Sequence, residues 1–468
     1  MNEENKNLTE NRMGTQPVGR LLLGLGLPMI ASMLVSALYN VVDSIFVARI
    51  TDINSTGSAG TDALVAVGLA FPFQTLMIAF AAGTGVGMNS MLSKALGAGD
   101  RETVNKAADN GLFSYAMCFI AFFLVGAFLP KFLIRSSGGS GLALTYGTQY
   151  LRIVCMASFG LFTQFCFERM LQATGKTVLS MIAQMTGAII NIILDPILIF
   201  GYFGFPELKV AGAAVATVVG QIAAGCMAVY LNHTKNSEVQ LKLRGFRPDR
   251  EVIGRIYAVG FPSIIMQSIG SVMTYCFNRI LGSLNEASIA VFTVYFKLQS
   301  FFFLPLFGLN NALIPIIAYN YGAQKRSRMI KAIKLSMVFA FCFMLFGFIM
   351  FEVFPANLLR IFDTKDPSLI QLGVPALRTI AFHFLIAWFC IIAGSTFQAL
   401  GNGVYSLIVS IARQLVVLIP AAWLLAKLGG LDLIWWSFPI AELMSLIFSS
   451  FFLWRINRDI ISKVPDHV

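Results

Sequence analysis

Charge is what this sequence has least of. Only 12% of its 468 residues are Asp, Glu, Lys or Arg, against 57% hydrophobic, and the mean hydropathy is +0.75. A chain so poor in charge cannot coat a soluble globule, so an ordinary soluble fold is excluded and many membrane-spanning helices are expected. Histidine is scarcer still, with three in all (His233, His383 and His467), of which only His383 lies within an apolar run. No H-x-x-x-H or G-x-S-x-G sets a nucleophile or ligand beside a second candidate, which argues against a membrane enzyme and against any cofactor. The seven cysteines all sit in apolar runs and form no C-x-x-C, so they read as small packing residues rather than disulfides or metal ligands. A cleavable leader is not expected either, because the mostly polar residues 1–17 run straight into a full-length apolar helix.

What the sequence has in abundance is apolar runs of spanning length. Twelve are expected, at 18–48, 62–93, 102–130, 142–167, 177–202, 209–232, 252–281, 286–317, 327–354, 369–398, 404–427 and 432–457. The net charge of +11 sorts by loop rather than forming a nucleic-acid patch. With the N-terminus in the cytoplasm, 22 basic residues fall on that side, from Lys6 and Arg20 through Lys331 and Lys334 to Lys463, and 8 on the other, including Arg49 and Lys365. The positive-inside rule then puts both termini in the cytoplasm.

The chain also repeats itself. MLQATGKTVLS (170–180) aligns with TFQALGNGVYS (396–406) and LGAGDRETVNKA (96–107) with YGAQKRSRMIKA (321–332), at offsets of 226 and 225, while LPMI (27–30) matches FPSI (261–264) more weakly. The fold class expected is therefore an all-α integral membrane protein of 12 transmembrane helices in two six-helix bundles related by a pseudo-two-fold axis along the membrane normal. Its expected parts are a cytoplasmic segment 1–17, an N-lobe 18–232, a linker 233–251, a C-lobe 252–457 and a tail 458–468. Duplicated halves with a cleft between them suit a carrier that alternates access, whereas a channel needs a continuous pore lining and no rocking halves.

Within the spans, a few polar residues stand out because an acid at the centre of a spanning helix costs roughly 2.5–3.5 kcal/mol. In the first helix Asp43 follows Asn40 by three residues and Tyr39 by four, on one face. In the fifth, NIILDPILIF (191–200) sets Asn191 four residues before Asp195, and Pro196 is expected to kink the helix and free the Ile192 carbonyl. Gln184 lies earlier in the same helix. Burial favours the neutral form of a carboxyl, and a second carboxyl nearby favours it further, so the pair Asp43 and Asp195 can take up a proton. The same oxygens at Asp43, Asn191 and Asp195 also suit a hard cation such as Na⁺, and the two ions stay open. By the repeat, Asp43 falls on Phe277 and Asp195 on Ala421, which confines the acids to one half. The second half instead offers Lys297, Arg378, His383, Arg413 and Glu442, where Glu442 needs a partner such as Lys297 or Arg413. With 42 Phe and 20 Met, an adaptable aromatic cleft for amphipathic cations is physically reasonable.

LP at 27–28, Y-N-x-x-D at 39–43, GAGD at 97–100, Q-A-T-G at 172–175 and above all N-I-I-L-D-P at 191–196 resemble the multidrug and toxic compound extrusion (MATE) family, and within it its MepA-like bacterial branch. The resemblance covers nearly the whole chain. It implies a V-shaped pair of bundles in a bacterial cell membrane, exporting cationic drugs or dyes against inward H⁺ or Na⁺. It also implies that Asp43, Asn191 and Asp195, with Tyr39 nearby and Pro28 at a bend in the first helix, form a cation site in the N-lobe. Where one branch of the family carries acids in helices 7 and 10, this chain has Gln267 and His383 or Arg378. Drugs and membrane lipids are the partners expected, nucleic acid is not, and the expected state is a monomer. A flippase or exporter of lipid-linked or anionic metabolites on a related two-bundle fold is the alternative.

Overall fold

The computed structural model describes residues 11–50, 59–242, 244–361 and 367–466. Lys6, Lys365 and His467 of the charge and histidine readings lie outside the described residues, as does most of the first interhelical loop. In an apolar solvent every backbone N–H and C=O must be satisfied within its own segment, and the described chain accordingly forms helix almost throughout. We number the helices α1 (Val18–Ala48), α2 (Ala59–Gly97), α3 (Arg101–Phe128), α4a (Gly141–Met156), α4b (Phe159–Ala173), α5 (Thr177–Phe200) and α6 (Val210–Lys235). There follow α7 (Arg250–Leu284), α8 (Glu286–Gly322), α9 (Arg326–Val353), α10a (Pro367–Ala381), α10b (Phe384–Ala399), α11 (Gly403–Ile434) and α12 (Ser437–Asp459).

Among the described residues ten helices are long and apolar enough to cross a membrane, and two bent pairs bring the number of spans to 12. The protein is thus a multi-pass membrane protein. The bent pairs correct the expectation that 142–167 and 369–398 are single helices: α4a and α4b meet at 46° and α10a and α10b at 50°. The breaks fall at Ala157–Ser158 and Phe382–His383, 225 residues apart. Here the chain leaves the i→i−4 ladder and closes it with tighter bonds, Ser158 N–H donating to the Cys155 carbonyl and His383 N–H to that of Ile380.

The duplication is written into the backbone as well. Gly175 and Gly401 both adopt left-handed φ (77° and 84°) at equivalent ends of α4b and α10b. The next residues close the turn in the same way, Lys176 N–H bonding the Leu171 carbonyl at 2.7 Å and Asn402 N–H that of Phe397 at 2.8 Å. Gly99 and Gln324 form a second left-handed pair, followed by Asp100 N–H on the Ala95 carbonyl and Lys325 N–H on that of Asn320. The copies have diverged at the cap: Asp100 accepts from Thr103 N–H (3.0 Å) and Thr103 Oγ1 (2.6 Å), whereas Lys325 makes no side-chain cap.

By mutual packing the chain divides into two units. One gathers residues 1–30, 97–99 and 265–468, the other 31–96 and 100–264. The division runs inside α1 and α7, in each case two residues beyond an internal proline, Pro28 or Pro262. Proline has no N–H, so each removes one rung of the helix ladder there. Within the first unit the start of α1 lies against α8, where a Cβ on Gly308 would come within 2.7 Å of Ile30 Cα. Within the second, the start of α7 lies against α2: a Cβ on Gly83 would meet the backbone of Ile264 at 2.8 Å, and one on Gly87 would land on the Ile256 carbonyl.

Two predictions follow from this packing. Gly87→Ala forces the Ile256 backbone away and should cost about 1–3 kcal/mol, while Gly254→Ala, with open space around it, should be neutral or slightly stabilising; thermal unfolding of the purified variants compares them. Asp100, outside the spans, is held below the usual carboxylate range by the hydrogen bonds from Thr103. Asp100→Ala should cost about 1 kcal/mol at neutral pH. Because the folded value is the lower one, that difference should be full above the unfolded value and vanish as pH falls through the folded one.

Candidate functional site

The acid-bearing helix α5 is placed by two glycines. A Cβ on Gly187 would lie 2.7 Å from the Gly220 carbonyl oxygen of α6, and one on Gly220 would lie 2.7 Å from the Gly187 carbonyl oxygen and 3.1 Å from Asn191 Cβ. This mutual approach brings Asn191 to Thr217 of α6. The Asn191 amide donates to Asp195 Oδ1 (3.4 Å) and Thr217 Oγ1 (3.5 Å), both long bonds. α5 continues helical through Pro196 to Phe200, and the missing proline N–H leaves the Ile192 carbonyl without its rung one turn before.

Helix α1 is joined to α5 by Gln184, whose Nε2 donates to Ser36 Oγ at 2.6 Å. Two turns along α1 is Asp43. Asp43, Asp195, Tyr39 of α1 and Tyr150 of α4a lie within electrostatic range of one another. Asn40 is exposed, and its amide is spent on the Ser36 carbonyl of its own helix. Tyr150 donates to Gln74 Oε1 of α2 at 3.4 Å.

The site has more acceptors than donors. Asp195 is 0% and Asn191 3% exposed. Asp195 Oδ2, Asn191 Oδ1 and Asp43 Oδ1 are all buried without a hydrogen-bond partner. Leaving such an oxygen unsatisfied costs about 1–3 kcal/mol, and more when it is charged. An orphan donor set made only of oxygens fits a proton or a hard monovalent cation. It does not fit a soft metal, and among the described residues no three His, Cys, Asp or Glu side chains gather.

Thr217, Ser36, Tyr150 and Gln74 were not legible as site residues in the sequence. The only signal was a polar side chain inside an apolar run, and many other Ser, Thr, Asn and Gln residues carry the same signal.

The first unit, which gathers residues 265–468, holds a different polar group. Arg413 lies in a π-helical turn (Ala412–Leu418) just before Pro420, and its Nη1 approaches Glu442 of α12 at 3.3 Å. Glu442 is 3% exposed, so the partner it requires is Arg413 and not Lys297, which is exposed on α8. His383 is buried at the α10 break. Its Nδ1 bonds the Ile380 carbonyl (2.6 Å), its Nε2 lies 3.4 Å from Gln299, and its ring stacks on Phe303. Tyr295, not singled out in the sequence, has its hydroxyl buried without a partner among these groups. Arg378 is exposed and pairs with Glu352 (4.0 Å), away from the others. At the position that repeats Asp43 stands Phe277, fully buried against Phe292 (4.6 Å between ring centroids) and Phe438 (5.1 Å).

Two repeated halves, the first with orphan buried oxygens on Asp43, Asn191 and Asp195, define a class of membrane carrier, and the comparisons narrow it. The MatE family profile matches residues 28–197 and 262–424, so the chain belongs to the MATE family of transporters, not to an enzyme family. It is 27% identical over 452 residues to the multidrug export protein MepA of Staphylococcus haemolyticus, covering 95% of each chain. It is 26% identical over 423 residues to the MepA of Staphylococcus saprophyticus, covering 90% of each. Among solved structures, it matches an outward-facing multidrug resistance MATE transporter of the MOP superfamily at TM-score 0.88 and 25% identity, over 98% of this chain and 100% of that one. A MOP superfamily transporter from Pyrococcus furiosus, described as having a binding pocket of reverse polarity, matches at TM-score 0.87 and 25% identity, over 98% and 100%.

The Gln184–Ser36 bond should behave as a tie between α1 and α5. In a double-mutant cycle of Gln184→Ala and Ser36→Ala, read by thermal or denaturant unfolding, the two losses should be non-additive by about 0.5–1.5 kcal/mol.

Proposed function

We propose that this protein is a secondary active multidrug efflux transporter that antiports organic cations against inward H⁺ or Na⁺ by alternating access, with Asp43 and Asp195 as the coupling carboxylates. The observation that carries the reading is the cluster of buried acceptor oxygens without donors on Asp43, Asn191 and Asp195. An ion entering this cluster supplies the missing positive charge, and its departure restores an unfavourable state, so occupancy is linked to conformation. Tyr39 and Tyr150 lie within reach of both charges and bound the site on α1 and α4a.

The unit of transport in this reading is the duplicated pair, the N-lobe 18–232 and the C-lobe 252–457 joined by the linker 233–251, working as a monomer in a bacterial cell membrane with both termini in the cytoplasm. The two MepA relatives are bacterial, and the excess of basic residues on one side supports that orientation. Pro28 offers a point of flexure in α1, where one rung of the ladder is missing. In the C-lobe, Arg413, Glu442 and His383 act as a structural polar core, because each already has a partner.

The competing reading, a flippase or exporter of anionic or lipid-linked substrates, asks for unpaired cations lining a cleft. Of its three candidates, Arg413 is neutralised by Glu442, Arg378 is near Glu352, and Lys297 lies exposed on α8. Competition between a fluorescent cation and an anionic lipid for the purified protein separates the two readings, and the cation should bind.

In inverted vesicles, adding a cationic drug should collapse an imposed pH or Na⁺ gradient, whichever ion couples. Asp195→Asn should reduce that rate to less than about a tenth of wild type with protein abundance unchanged. Unaltered coupling in the variant would overturn the assignment.

A further inference from the structure

The start of α9 carries a basic, partly apolar groove that the transport reading does not use. It is an open groove of about 530 Å³ lined by Ser327, Ile330, Lys331, Lys334, Leu335 and Val338. The spacing 327, 331, 334/335 and 338 keeps these residues on one helical face, along which the groove changes from polar to apolar over roughly 16 Å. Lys331 and Lys334 are exposed at the polar end, and Val338 is 59% exposed at the other.

The start of α1 lies alongside, where a Cβ on Gly19 would touch Leu335 Cδ2 at 3.4 Å. One turn further along the same face of α1, Leu23 is 49% exposed, and Arg20 is exposed beside Gly19. Among the described residues neither Arg20, Lys331 nor Lys334 has a hydrogen bond or an ion pair. Asp466 is held nearby by Ser327, whose N–H and Oγ both donate to its Oδ1 at 3.0 Å.

We propose that this groove is a binding site for an anionic phospholipid, with Lys331, Lys334 and Arg20 on the headgroup phosphate and an acyl chain against Leu335, Val338 and Leu23. Charge complementarity selects the headgroup: three cations without counter-ions among the described residues stand where a spanning helix meets the interface, and an anionic lipid supplies the missing charge. The apolar continuation of the groove selects a lipid over a free anion, since a phosphate ion leaves Val338 and Leu23 uncovered while an acyl chain removes them from water as well. On the positive-inside reading the leaflet is the cytoplasmic one.

Native mass spectrometry of the full chain tests the site, with phosphatidylglycerol, phosphatidylcholine and inorganic phosphate as the probes. The wild type should retain phosphatidylglycerol in preference to phosphatidylcholine, and excess inorganic phosphate should not displace it. Lys331→Gln with Lys334→Gln should reduce phosphatidylglycerol retention about fivefold or more, and Lys331→Arg with Lys334→Arg should restore it. Lys235→Gln with Lys463→Gln, exposed lysines outside the groove, removes the same charge and should leave retention unchanged. All four lysine positions are exposed, so the variants should elute as monodisperse as the wild type. Equal loss in both Gln pairs would reduce the effect to bulk charge, displacement by phosphate would make this a free-anion site, and equal retention of phosphatidylcholine would remove headgroup recognition. Each of these three results overturns the proposal.

Discussion

A polypeptide in hydrocarbon has nowhere to put a backbone N–H or C=O except on itself, and that requirement organises this molecule. It explains why helices such as α1 and α5 stay continuous through Pro28 and Pro196. It also explains why the two places where the chain does bend, after α4a and α10a, close their hydrogen bonds locally by the same turn in each copy. Against that background an unsatisfied polar atom carries information. Most backbone groups are paired, yet three side-chain oxygens at Asp43, Asn191 and Asp195 are buried without a donor. They belong to one copy, and in the other the position that repeats Asp43 is the buried Phe277 while that of Asp195 is Ala421.

That asymmetry shows how a duplicated scaffold divides labour. The two copies share the helix breaks, the left-handed turns and an internal proline in the first helix of each, Pro28 and Pro262, all of which are backbone properties. They differ in what the backbone presents: an acid in one copy, and at the repeat-equivalent position Phe277 packed between Phe292 and Phe438 in the other. The buried charge in the C-terminal copy is moved elsewhere and neutralised by Arg413, which projects from a π turn where the ladder is already irregular. A buried ion pair of this kind is costly to break from one side only, so it favours one fixed arrangement.

Spanning length and internal repetition were legible in the sequence because they depend on composition over long windows, and the number of spans follows from them. The bends inside the fourth and tenth spans were not legible. Ala157, Ser158, Phe382 and His383 include neither glycine nor proline, and nothing in their types distinguishes a break from a continuous helix. Asp195 and Asn191 could be read together because four residues apart means one face of a helix. Thr217 could not, because its approach to Asn191 depends on Gly187 and Gly220, which lie 33 residues apart and matter only once α5 and α6 are seen side by side. The partner of Glu442 was open for the same reason: Lys297 and Arg413 have equal claims by charge, and only the fold turns one of them away.

The sharing of α1 and α7 between the packed units has a consequence for how the chain can be cut. The linker 233–251 separates the two repeats as they are written, yet a break there would leave each fragment holding a half-helix whose apolar face was shaped for the other fragment. The first would keep residues 18–30 without α8 to cover them, and the second would keep residues 252–264 without the glycine seam of α2. The molecule is two repeats in sequence, but as folding units the repeats are stitched into one another through their first helices.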